Sequence, residues 1–255
     1  MNMAFIDFLA FQEAMLLVAA VLVGYVSVAA MLAMRRNDTA GLKGALKGGA
    51  VPIGFLGVIA TTLSVWGEIA WPLPGAYNIF FTDVFLLFGL TLVVLAVSMA
   101  TSSRLQYAGV FAFVAGGITL AYGWSGYQLH MTKDPLETFL LYGAFGLTGI
   151  LAFPATLIAD HYLLHPTSAS FAVPAGSAAA RRRPSLLGAT RAVQPIVPSS
   201  NGANAEESTD APVRFRVPIY MNATLLVFVV MVALAGIAAL LYLDSTLPAH
   251  LASPP

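Results

Sequence analysis

An all-α, polytopic membrane helix bundle with six transmembrane helices is the fold this sequence predicts, on three observations. The chain of 255 residues is 58% hydrophobic and only 9% charged. Its apolar residues gather into six long runs, at about 10–34, 49–68, 83–101, 106–125, 137–159 and 217–242, each near the roughly 20 residues that cross hydrocarbon as a helix. The segments between these runs alternate in charge: Arg35, Arg36, Lys43 and Lys47 follow the first run, and Arg104 follows the third. Arg181, Arg182, Arg183, Arg191, Arg214 and Arg216 lie between the fifth and sixth, so that of 12 basic residues Lys133 alone falls on the other side. Basic loops are retained in the cytoplasm, and both termini are therefore expected outside, in a cell (plasma) membrane.

In the first run, Met1–Gln12 lacks a basic n-region and Asp7 interrupts it, so this helix is expected to be retained. Its start is expected to lie along the headgroups through Phe5, Phe8, Leu9 and Phe11. The second run ends in a distinctive outer stretch, Trp66 to Asn78. There Pro72 and Pro74 cannot donate backbone hydrogen bonds, Pro74-Gly75 favours a tight turn, and Trp66, Trp71 and Tyr77 suit the water–lipid boundary. At the third run, Thr82-Asp83 is read as a cap; at the fifth, Asp134-Pro135-Leu136-Glu137 is read as N-cap, first-turn proline and capping-box acid. Gly54 and Gly57, Gly116 and Gly117, and Gly143, Gly146 and Gly149 let helices approach closely.

The chain divides into a five-helix core over residues 1–164, a polar cytoplasmic linker over 165–216, and an appended sixth helix with a short external tail over 217–255. Gly176–Arg183 and Pro198–Pro212 carry too little apolar surface to offset chain entropy, and are expected to be disordered. Asp83-Val84-Phe85-Leu86-Leu87-Phe88-Gly89 recurs as Glu137-Thr138-Phe139-Leu140-Leu141-Tyr142-Gly143, a possible parallel repeat of helices 2–3 and 4–5.

Trp71-Pro72-Leu73-Pro74-Gly75-Ala76-Tyr77-Asn78, followed by Asp83 and Leu87-Phe88-Gly89, resembles the signature of the small archaeal and bacterial membrane proteins catalogued as domain of unknown function 981. The resemblance covers residues 5–160, and it implies a membrane fold and a shared outer-face motif of Trp71, Pro72, Pro74, Gly75, Tyr77 and Asn78, with no activity attached.

Depth arithmetic at 1.5 Å per residue brings Glu13, Glu68, Asp83 and Glu137 to one outer level beneath His130. Four carboxylates and an imidazole could coordinate a divalent metal; solvated rim acids and caps are the plainer reading. His161 and His165 lie one turn apart on one helix and cannot sandwich a haem. The helices otherwise carry hydroxyls alone at depth, without the buried ionisable residues of a proton relay or charged-substrate path. The zero cysteine count excludes disulfides and thiolate chemistry, basic residues sit where topology requires them rather than in a nucleic-acid patch, and no catalytic motif is found. The leading expectation is a structural or accessory subunit of a membrane complex, in contact with lipid and with other subunits or further copies of itself. The alternatives are an outer-face metal- or quinone-binding protein and a transporter of neutral solutes.

Overall fold

The structure, a computed structural model, describes residues 8–164 and 219–252, with side chains to Ser245. The linker at 165–216, His165 and Phe5 lie outside the described residues. The described residues form six helices: α1 (Phe8–Arg35), α2 (Thr39–Ala70), α3 (Ala76–Thr101), α4 (Gln106–Gln128), α5 (Pro135–Leu164) and α6 (Ile219–Ala252). All six are long and apolar enough to span a membrane. Each of the six runs is thus a helix, and every helix extends past its run. An apolar run marks only the part in hydrocarbon, whereas the helix continues to its own stop. Asp38 starts α2 well before its run by accepting from the Gly41 amide at 2.7 Å, as an N-cap does.

Packing follows chain order. Each helix packs on its neighbours in sequence and α6 returns onto α1, so the six form a closed ring. The most extensive seams are α2–α3 and α4–α5; the sparsest is α3–α4. The two tight seams are knit by glycine. Gly57 lies against Val93 and Gly89, and Gly116 against Gly146, Gly149 and Ile150, where a Cβ would strike backbone. The last position of the seven-residue repeat packs differently in its two copies: Gly89 is pressed on Ala60 and Thr61, whereas its counterpart Gly143 meets nothing. Gly117, too, meets nothing.

Far from standing apart, α6 packs on both α1 and α5, with Val232, Ala235 and Ala239 fully enclosed. Outward faces such as those of Tyr25, Val51, Phe55 and Ile69 are apolar and exposed, which suits lipid contact because helices that are hydrophobic all round belong in a bilayer.

Two ends of the ring differ. At one, Asp160 of α5 accepts from the amides of Leu105 at 2.9 Å and Gln106 at 2.8 Å. This carboxylate, 5% exposed, supplies the cap that the N-terminus of α4 lacks within its own sequence. Nearby, the Tyr162 hydroxyl donates to Asn37 in the α1–α2 turn at 2.9 Å. The other end carries the Trp71–Asn78 stretch. Trp71 closes α2 in the left-handed region at φ 51, its amide donating to the Gly67 carbonyl, and Gly75 begins α3 at φ 54.

Candidate functional site

A half-open apolar cavity of about 170 Å³ is bounded by α1, α3, α4, α5 and α6. A second, of about 100 Å³, adjoins it and shares Val23, Leu95, Ala152, Thr156 and Phe228 with the first. The larger cavity runs along α1 from Leu9 to Val23, about 21 Å at 1.5 Å per residue. Its size compares with apolar cavities of about 150 Å³ that stay dry and take up benzene.

Hydroxyls along this lumen are consumed by their own helices. Thr91 donates to the Leu87 carbonyl, Thr119 to Ala115, Thr148 to Ala144 and Thr156 to Phe153, all at 2.7–2.9 Å. Back-bonding of this kind spends the donors of these four hydroxyls, so the middle of the lumen is apolar in chemistry as well as composition.

Polar chemistry is confined to the motif end. Tyr142, stacked on Phe80 at 4.8 Å, donates its hydroxyl to the Phe80 carbonyl at 2.8 Å, and Tyr242 accepts from Thr138 at 3.3 Å. Glu13, 5% exposed, faces the lumen and has a partner. Gln12 beside it is 4% exposed and lines the same cavity, yet its Nε2 has no hydrogen-bond partner. Among the described residues two other buried side-chain polar atoms lack partners, Thr61 Oγ1 and Glu68 Oε1; neither residue lines this cavity.

The Trp71–Asn78 motif positions this end. Asn78, fully buried, accepts from the Leu73 amide at 3.3 Å and donates to the Gly67 carbonyl at 3.1 Å, so one side chain ties the proline loop to α2. Its own carbonyl accepts from Thr82. Gly67 must be glycine because Thr82 and Phe8 occupy the space of a Cβ. Phe8, expected among the headgroups, is instead buried on Trp66 with ring centres 5.7 Å apart. It anchors the start of α1, and Gln12 follows one turn later.

The expected acids separate into two groups, each about a tyrosine. Asp83 accepts from Tyr122 at 2.6 Å, with Glu68 close enough to act electrostatically on the same ring. Glu13 and Glu137, with Asp134, stand in the same relation to Tyr242. His130 is exposed, and its Nδ1 lies 3.2 Å from the Gln128 carbonyl. Among the described residues no three His, Asp or Glu side chains come together as a metal site would require. The reading of Asp83 as a cap is corrected: α3 starts at Ala76, so Asp83 lies two turns inside it, where its carboxylate bridges the α3–α4 seam. The α5 start at Pro135 agrees with the proline-first reading, and Glu137 sits in its first turn.

Sequence reading passed over Gln12 and the role of Asp160. The signal for Gln12 was available, an amide inside an apolar run next to an acid. For Asp160 it was a lone carboxylate at the end of α5, with no acceptor to cap α4 within its own sequence.

These features define a polytopic α-helical membrane protein built round an apolar lumen. The family described as protein of unknown function (DUF981) matches residues 3–175, and the chain belongs to it. The match takes in α1 to α5, and α6 lies beyond it. No curated protein and no solved structure matches the chain.

Proposed function

We propose that this membrane protein holds an apolar molecule inside its helical ring, in a cell membrane with both termini outside. The observation that carries the reading is the lumen itself. Protein interiors are close-packed, with few voids larger than a water; a subunit whose task is only to support others has no use for an elongated cavity. Polar or charged solutes are poorly suited to a wall whose threonines are spent on their own helices, and this places an apolar guest ahead of a transported neutral solute. The charge asymmetry of the connecting segments supports the orientation. Solvent extraction of the purified full chain, followed by mass spectrometry, tests the reading. A stoichiometric apolar compound is the expected result. A folded protein that yields none, and that instead retains a protein partner, would favour the accessory-subunit reading.

A further inference from the structure

Deepening that reading, on which it rests, we propose that the guest is an amphiphile with a carbonyl head, its tail along the lumen and its head at Gln12. Along the cavity wall, Tyr142 is engaged by Phe80 and Tyr242 by Thr138, and the threonines bond their own helices. Gln12 Nε2 is the one buried side-chain nitrogen or oxygen of this wall left without a partner among the described residues. A primary amide nitrogen donates and never accepts, so its complement is an acceptor. Leaving such a donor buried and unpaired carries a desolvation cost, which a bound acceptor removes.

Glu13, adjoining Gln12 on the lumen side, disfavours an anionic head through like-charge repulsion when ionised. A neutral carbonyl meets both conditions. Below Gln12 and Glu13 the lumen offers an apolar path along α1, about 17 Å from Gln12 to Val23, which fits a hydrocarbon tail. Two membrane sources share this chemistry: a quinone, whose ring carries the carbonyl, and an acyl ester. No chemical step on the head is implied.

Calorimetric titration of delipidated full-length protein with decylubiquinone, methyl laurate and decylbenzene tests the proposal. Decylbenzene should bind through the lumen alone. At least one carbonyl probe should bind about three- to tenfold more tightly, and that margin should vanish in Gln12→Leu while decylbenzene affinity is kept. Whichever carbonyl probe shows the Gln12-dependent margin identifies the source. Gln12→Met, matched in length, serves as a second variant should leucine disturb packing. Equal affinity for all three probes, or a margin that survives both substitutions, overturns the carbonyl head and leaves the apolar lumen standing. Failure of every probe to bind the folded wild-type chain overturns the lumen reading as well.

Discussion

Asp160 and Gln12 sit at opposite ends of the same ring, equally buried and differently satisfied. Asp160 is 5% exposed and accepts from two backbone amides; Gln12 is 4% exposed and its Nε2 donates to nothing. Burying a polar group is costly unless it is hydrogen-bonded. At the Asp160 end the fold explains the group completely, since the carboxylate caps α4 and ties it to α5. At the Gln12 end the fold does not explain it, and a guest does. The difference separates a residue that holds the ring from one that serves its contents.

Removing Asp160 should give the largest effect. Asp160→Ala leaves two amides unpaired at a buried helix start, and should lower stability by about 2–3 kcal/mol in detergent melts. A loss below about 0.5 kcal/mol would show that water caps α4 as well as the carboxylate does. Asn78→Ala comes next. It frees the Gly67 carbonyl and the Leu73 amide, so a cost of about 2 kcal/mol is expected, together with faster proteolysis in the Trp71–Asn78 loop. Tyr122→Phe removes one hydrogen bond across the sparsest seam and should cost about 1 kcal/mol. Gln12→Leu should be the mildest, with the emptied protein unchanged or more stable by up to about 1 kcal/mol because an unsatisfied donor is gone. A loss as large as that of Asp160→Ala would make Gln12 a structural residue and erase the contrast.

The six helices were legible because a bilayer leaves so little choice: runs such as 83–101 must be helical in hydrocarbon, and the charged segments alternate. The proline-first start of α5 at Pro135 was equally legible, being local. Ring closure was not. That α6 returns to α1 is set by small residues, Gly236 lying on Ala20 and Gly24 on Val232, and a small residue in an apolar run carries no sign of its partner. The acids Glu13, Glu68, Asp83 and Glu137 were placed by depth alone. Rise per residue gives height, but rotation about the helix axis decides which side chains meet, and the tyrosines Tyr122 and Tyr242 divide them. Asn78 was visible as part of a motif, while its work as a clamp between Leu73 and Gly67 depends on the loop's folded path.

Water access to the lumen tests the central claim most directly. The chain has no cysteine, so a single introduced thiol reports without background. Thr91→Cys and Thr148→Cys place it on the lumen wall, and Lys133→Cys places it on an exposed turn. With a membrane-impermeant, water-soluble maleimide applied to both faces, Lys133→Cys should label readily while the two lumen thiols stay unreacted until the protein is denatured. Labelling of Thr91→Cys and Thr148→Cys at the rate of Lys133→Cys would mean a water-filled path through the ring, and would contradict an apolar lumen.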